Sequence, residues 1–443
     1  MTATLMVIIL LAIEIFFGVW ALITKNRHME ERGIVRIGEL VLFGVLCMTG
    51  VLQWGFRYFF IFAVLAVQMI YSVIVLFRKK NKDYKKGSTF LIFFRNALLI
   101  LFALLPAVIF PQHTEPVLEG AYEVVTAKYT WVDESRLETF ANDNSYRSVT
   151  VDFWYPENAQ GEFPLVIFSH GAFGFSQSNA STCESLAANG YVVASINHKY
   201  HAFYDIDTAG NFTLTDMNFI NTVMAQNENL THENEEQEYE NSREWLELRM
   251  EDESFVLNTI LAETGSRSSD ISNSSDSASD IVFSLIDPDK IGLIGHSLGG
   301  ASSAQLGRDR DDVDAVINLD GTLLGERMGY VDEMFLQNEA SYPIPLLDIY
   351  AQSTYDLAVE YEGDDYANFH VEDNSDLVYS VVFQETGHLN FTDLPIFSPI
   401  LAKMLGTGEA DAQVCIEEMN QLILGFFDYT LKDGIIPDFE KVY

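Results

Sequence analysis

Cysteine is nearly absent from this chain. Three thiols in 443 residues, Cys47, Cys183 and Cys415, are too few and too far apart for a disulfide framework or a thiolate metal site. No Cys183–Cys415 bridge is expected, and no spacing of His, Cys, Asp or Glu implies a metal or another cofactor. Basic residues are scarce as well: 26 Lys and Arg stand against 64 Asp and Glu, a formal net charge of −38. A surface of that sign repels nucleic acid and anionic lipid headgroups, which excludes nucleic acid as a partner. The shortage is uneven. Residues 1–110 hold 12 basic and 5 acidic groups, and the remainder holds 14 and 59, so the chain is +7 before residue 110 and −45 after it. The acidity of the second part reads as solvation, not as a substrate signal.

Long apolar runs are plentiful, and all of them fall in the basic part. They are Leu5–Thr24, Ile37–Trp54, Tyr58–Phe77 and Phe90–Phe110. A helix of ~20 residues rises ~30 Å, the thickness of a bilayer's hydrocarbon core, so a four-helix transmembrane region is expected over residues 1–110. The first run has no basic leader or small-residue cleavage site, which argues against a signal peptide. Lys25, Arg27, Arg32 and Arg36 follow run one, only Arg57 separates runs two and three, and Arg78, Lys79, Lys80, Lys82, Lys85 and Lys86 precede run four. Basic loops stay in the cytoplasm, so both termini and the acidic part are expected outside it. Glu14, near the middle of its run, is expected to pair within the bundle; Glu39 and Arg95 lie near run ends, where long side chains reach the interface.

Residues 111–118 read as a linker, and residues 119–443 as one catalytic domain. Short apolar runs there alternate with helical segments: Ser148–Tyr155, Pro164–Ser169, Tyr191–Asn197, Lys290–Gly295, Asp314–Leu319, Pro345–Tyr350 and Leu377–Phe383. That alternation implies an α/β fold, a mostly parallel sheet with helices on both faces. An acidic, low-complexity insert occupies about residues 204–280. Its Glu-rich stretch, 233–240, and Ser/Asp-rich stretch, 266–280, are expected to be mobile loops. Between them Trp245, Leu248, Phe255, Val256 and Ile260 recur at helical spacing, so an amphipathic helix should pack there on the sheet, its aromatics in the core.

The chemistry concentrates in Gly295-His-Ser-Leu-Gly299, the G-x-S-x-G pattern, set between the apolar run Ile291–Ile294 and the small-residue run Ala301–Leu306. A strand must turn there sharply into a helix with Ser297 at the tip, and a side chain at Gly295 or Gly299 would collide across the turn. Such a serine needs a base, and the base needs an orienting acid, in the chain order Ser, Asp or Glu, His. Only His370 and His388 follow Ser297. His388 stands just past an apolar strand, at the sheet edge where a base belongs, whereas His370 sits in an acidic loop. For the acid, Asp320 ends the next strand after the nucleophile; Asp348, inside its strand, ranks second. Asn318 shares the face of Asp320. The oxyanion requires two preorganised N–H donors. The amide of Leu298 is one candidate and that of Ala172, in the loop Ser169-His-Gly-Ala-Phe-Gly174, is the other, with His170 bracing that loop.

Several phrases occur together and in order: Phe168-Ser-His-Gly171, Ala188-Asn-Gly-Tyr-Val-Val-Ala-Ser-Ile-Asn-His198, Asp289–Gly300, Ile317-Asn-Leu-Asp-Gly321, His388-Leu-Asn-Phe-Thr-Asp393 and Phe426-Phe-Asp-Tyr-Thr-Leu-Lys432. Over about residues 149–432 the chain thereby resembles the plasma-type platelet-activating factor acetylhydrolases and their bacterial relatives. The resemblance implies an α/β-hydrolase fold, no metal, and a triad of Ser297, Asp320 and His388. The expectation is a membrane-anchored serine esterase acting on short-chain carboxylic esters, phospholipid acyl esters among them. Two alternatives stay open: an acyltransferase on the same triad, and a non-enzymatic membrane receptor with a decayed hydrolase domain. Oligomeric state is not fixed by the sequence.

Overall fold

In the computed structural model, residues 2–78, 84–114, 116, 120–141, 143–228, 234–268, 281–332, 334–361, 363, 366–439 and 443 are described. The chain divides into two units. One gathers residues 1–114 with 396–404, the other 115–395 with 405–443.

The first unit is built on four helices, α1 Thr2–Thr24, α2 Met29–Met48, α3 Phe56–Arg78 and α4 Lys86–Ile109. Three of them, α1, α3 and α4, are long and apolar enough to cross a membrane. The expectation of four falls short at α2, whose first eleven residues carry Glu30, Glu31, Arg32, Arg36 and Glu39. Outward-facing positions are apolar, as with Phe60, Val67 and Phe102, while the inward positions include Glu14, Arg32, Arg36 and Asn96. Glu14 is paired inside the bundle, with Arg32 and with Arg36 at 3.1 Å. The basic run at 79–83 lies outside the described residues, as does part of the 111–118 linker.

The second unit is centred on an eight-stranded sheet. In chain order its strands are β1 Val124–Leu137, β2 Tyr146–Pro156, β3 Phe163–Ser169, β4 Val192–Asn197, β7 Ile286–His296, β8 Ala315–Leu319, β11 Leu346–Ala351 and β12 Val378–Phe383; two hairpins, β5 Tyr204–Ile206 with β6 Phe212–Leu214 and β9 Arg327–Val331 with β10 Met334–Gln337, stand outside it. The sheet order is β1-β2-β4-β3-β7-β8-β11-β12. β1 and β2 run antiparallel to their neighbours, and every other pairing is parallel. The central strands are continuous apolar runs because both faces are covered: Leu165–Phe168 and Val192–Ala194 are wholly buried. One face packs Val256, Leu257 and Ile260, the other Leu422, Ile423, Phe426 and Phe427. Cys183 and Cys415 are both buried in the second cluster and unbridged.

The acidic insert is ordered where it is described. Helix α5 Ala180–Ala188 precedes it, helices α6 Met217–Glu228 and α7 Glu235–Ser268 occupy it, and the Glu-rich stretch expected as a loop forms, from Glu235 on, the opening turns of α7. Acidic side chains favour exactly that end of a helix, because the first-turn N–H groups present partial positive charge. Residues 269–280, the core of the second expected loop, lie outside the described residues.

Candidate active site

Six parallel strands bring their carboxyl ends to one edge of the sheet, and the candidate nucleophile, acid, base and oxyanion-loop residue each follow one of those ends. Ser297 follows β7, Asp320 follows β8, His388 lies five residues past β12, and Ala172 lies three past β3. The register His296↔Leu319 and Gly295↔Ser169 sets these ends side by side.

Ser297 has φ 55° and ψ −125°, a backbone conformation that costs a non-glycine residue of order 1–3 kcal/mol. Its amide donates to Leu319 O at 2.8 Å and its carbonyl accepts from Ala301, the first turn of helix α8 Leu298–Asp309. The two flanking glycines are required by space. A Cβ on Gly295 would stand 2.2 Å from the Gly299 carbonyl, and one on Gly299 would stand 2.1 Å from Ser169 O.

His388 and Asp320 are joined. The ring Nδ1 lies 2.7 Å from Asp320 Oδ2, and since a carboxylate only accepts, Nδ1 carries the proton and Nε2 is left as the acceptor. Asp320 also has positive φ, 57°. Its second oxygen accepts from Ala351 N at 2.7 Å, and Oδ2 accepts in addition from Thr354 Oγ1 at 2.7 Å. Asp348, the competing acid, is not in this array. It is fully buried and accepts from the amides of Asn318 and Asn368, at 2.9 and 2.7 Å, and burial pushes its pKa well above the usual carboxylate range. Asn318 serves the turn: its Oδ1 accepts from Gly321 N at 3.1 Å and its Nδ2 donates to Gly321 O. His370 belongs to a helix, Ala367–Asn374, where its ring meets Asn374. No hydrogen bond joins the Ser297 hydroxyl to His388 in this resting arrangement.

Ala172 and Leu298 fall in one apolar cluster with Phe173, Phe219, Val223, Trp245 and Leu324. Trp245, expected in the main core, therefore lies at the site. Among the described residues neither the Ala172 nor the Leu298 amide donates a hydrogen bond to the protein. The intervening Gly171 lies against the nucleophile turn, since a Cβ there would be 3.1 Å from Ser297 Cβ.

His170 braces this loop. Its Nδ1 donates to Gly171 O at 2.7 Å and its Nε2 accepts from His198 N at 3.2 Å. Complete burial, with Arg249 close by, holds its pKa well below the usual range, so the ring is a neutral strut. Arg249 reinforces it, donating to His170 O at 2.6 Å. His296, read from the sequence only as the variable position of the motif, also has work: its Nε2 donates to the His388 carbonyl at 3.0 Å. Burial, then the neighbouring His388, lowers its pKa to about 3, which keeps it neutral.

Beneath the turn runs a buried polar network that the sequence reading missed. Arg249, Asp252 and Glu253, all on α7, have essentially no exposure. Asp252 pairs with Arg147 at 2.7 Å and accepts from His198 Nδ1 at 3.1 Å, and His198 Nε2 meets Ser169 Oγ at 3.0 Å. Burial opposes ionisation of Asp252, but Arg147 and His198 outweigh it and hold the carboxyl well below its usual range. Glu253 accepts from Ser302 and from Ser303 at 3.2 Å, both on the nucleophile helix. Its pKa is raised to about 7 by burial, against an ordinary 4.5. The associated stability is complete below pH 4.5 and is lost as pH rises through 7, by on the order of 3 kcal/mol. Glu253→Gln keeps an acceptor and removes the ionisation. Thermal melts of variant and wild type should therefore agree closely near pH 4, and the variant should gain on the wild type from there to about pH 7 and level off above it.

The family described as platelet-activating factor acetylhydrolase, isoform II, matches residues 134–441. The chain belongs to this family. Among individual relatives, the platelet-activating factor acetylhydrolase of Bos taurus is 30% identical over 156 residues, 34% of this chain and 34% of that protein. Lipase 1 of Moraxella sp. (strain TA144) is 35% identical over 88 residues, 18% of this chain and 28% of that lipase. The chain thus spans about a third of the length of the curated relatives it matches. A solved structure, ferulic acid esterase from Streptomyces cinnamoneus, superposes with TM-score 0.51 at 19% identity, covering 74% of this chain and 96% of that one. That likeness fixes the fold of the acetylhydrolase-family unit as a helix-flanked, mostly parallel sheet.

Proposed function

We propose that the chain is a membrane-anchored serine esterase that hydrolyses short-chain carboxylic esters, with phospholipid acyl esters as the leading class. The single observation that carries this reading is the 2.7 Å bond from His388 Nδ1 to Asp320, which leaves Nε2 as a base at the sheet edge that also carries the half-buried Ser297. In the reaction Ser297 Oγ attacks the ester carbonyl while His388 Nε2 takes its proton. Asp320 fixes the tautomer and stabilises the imidazolium. The amides of Leu298 and Ala172 receive the oxyanion. His388 then protonates the departing alcohol, and a water activated by the same ring releases the acid. The Ser297–His388 hydrogen bond is expected to close when substrate binds, as such bonds commonly tighten in the complex.

The apolar wall of Phe173, Phe219 and Trp245 beside the proposed oxyanion site supports a compact acyl group. We read α2 as a fourth span, in which Glu14 of α1 pairs with Arg32 and Arg36 and offsets part of their charge. The loop charges then place both termini and the catalytic unit outside the cytoplasm. A series of p-nitrophenyl esters from acetate to laurate, with matched short-chain phospholipids, tests the assignment. Turnover should be highest for acyl groups of two to four carbons and fall at least tenfold by eight; a flat or rising profile contradicts the short-chain reading. Product analysis with added alcohols separates hydrolysis from acyl transfer.

A further inference from the structure

The helical unit holds a cavity of about 710 Å³ that the ester chemistry does not use. It lies among α2, α3 and α4, and its wall is mixed. Arg27, Arg32, Arg36 and Arg95 contribute positive charge, Gln68, Thr89, Tyr71, Ser72 and Asn96 contribute neutral polar groups, and the rest is mostly apolar. Val67 and Leu99 line it and are also 66% and 44% exposed on the outer surface of the bundle, so the cavity opens sideways between helices.

The charges do not cancel. Glu14 accepts from Arg32, from Arg36 at 3.1 Å and from Asn96 at 3.3 Å. Glu39, one turn beyond Arg36 on α2, also acts on Arg32. The lining itself carries four guanidiniums and, among the described residues, no carboxylate, which leaves positive charge at the wall in a setting where unpaired charge is costly. Donors are also left over. Among the described residues, the Nε atoms of Arg27, Arg32 and Arg36, the Gln68 amide nitrogen and the Thr89 hydroxyl are buried without a hydrogen-bond partner. Buried donors of this kind are normally satisfied. Five of them around one cavity, with surplus cations, describe a receptor for an anion that brings acceptor oxygens. The sideways opening and apolar remainder describe a ligand with a hydrocarbon tail.

We propose that this cavity binds the headgroup of an anionic phospholipid, with the phosphate among Arg27, Arg36, Gln68 and Thr89 and an acyl chain leaving past Val67. A phosphodiester supplies the oxygens the donors lack, and its charge offsets the arginines. Arg36 lies about 10 Å along α2 from its first residue, the depth at which a headgroup drawn slightly inward would sit. A zwitterionic lipid meets the same donors but brings a quaternary amine to an already cationic wall.

The test uses the full chain in detergent micelles. Phosphatidylglycerol, phosphatidylcholine and inorganic phosphate are added separately, and bound lipid is read by native mass spectrometry alongside the melting temperature. Phosphatidylglycerol should be retained at one molecule per chain and raise the melting temperature by about 5 °C. Phosphatidylcholine and inorganic phosphate should do neither. The double variant Gln68→Leu, Thr89→Val leaves the Glu14 pairs intact and should lose at least tenfold in phosphatidylglycerol affinity at unchanged esterase rate; Arg27→Gln is the second variant should the first misfold. Equal retention of the two lipids, equal retention by the variants, or full stabilisation by phosphate alone overturns the proposal. The inference rests on the membrane reading of the four helices, whose own failure would show separately, as a chain that stays dispersed without detergent.

Discussion

Ser297→Ala should leave the acetylhydrolase-family unit folded and lower ester turnover about 10⁴-fold or more, and His388→Ala should do the same. The two losses should not add, because nucleophile and base act as one unit: the double variant should be little worse than either single. Circular dichroism and melting temperature check the fold. The alanine at 297 keeps the backbone amide of Leu298 in place and removes only a hydroxyl that makes no hydrogen bond in the resting protein, so stability should be nearly unchanged. A fluorophosphonate probe should label the wild type and not Ser297→Ala. Labelling that persists in the variant would show a different nucleophile, and a wild type that neither reacts with the probe nor turns over any ester would favour a decayed hydrolase.

Asp320→Asn should cost about 10⁴-fold in kcat, while Asp348→Asn keeps activity within about tenfold. The asymmetry follows from the donors around each carboxyl. Both oxygens of Asp320 accept, one from the Ala351 amide and the other from Thr354 and His388. An asparagine can offer only one oxygen. Whichever way the amide turns, its NH₂ group faces a donor. If it faces His388, the ring adopts the tautomer protonated at Nε2 and cannot take the serine's proton. If it faces Ala351, the turn that places the side chain is disturbed. Asp348 touches neither the ring nor the nucleophile; its partners are the two asparagine amides. Steady-state kinetics on both variants decide between them, and inactivity of Asp348→Asn with an active Asp320→Asn would reverse the assignment of the acid.

The central sheet was legible because strands buried on both faces are written as unbroken apolar runs, and the elbow because its glycines are imposed by contacts of about 2 Å. The edge was less legible. β1 is half-buried along most of its length, so its sequence, Val-Val-Thr-Ala-Lys-Tyr-Thr-Trp-Val-Asp, mixes classes and breaks the pattern. The largest gap was α7. Arg249, Asp252 and Glu253 look like more of the acidic surface around them, yet they share a face with Leu246, Val256, Leu257 and Ile260, all buried. Their spacing continues the apolar stripe, and that register was the available signal; what hid it was that the stripe's partners, Arg147, His198 and Ser302, are far away in the chain. The catalytic candidates lie past strand ends, positions that an apolar run followed by a polar residue makes visible, whereas the bracing contacts of His296 and Arg249 are ones that no local pattern encodes.

Ser297 and Asp320 both occupy backbone conformations that glycine would adopt more cheaply. A chain relieved of any chemical duty would be free to drift toward glycine or asparagine at these two places, gaining about 1 kcal/mol at each. Mutation tends to discard what only weakens a fold. A hydroxyl and a carboxylate at two such positive-φ strand ends are choices that backbone stability alone does not favour.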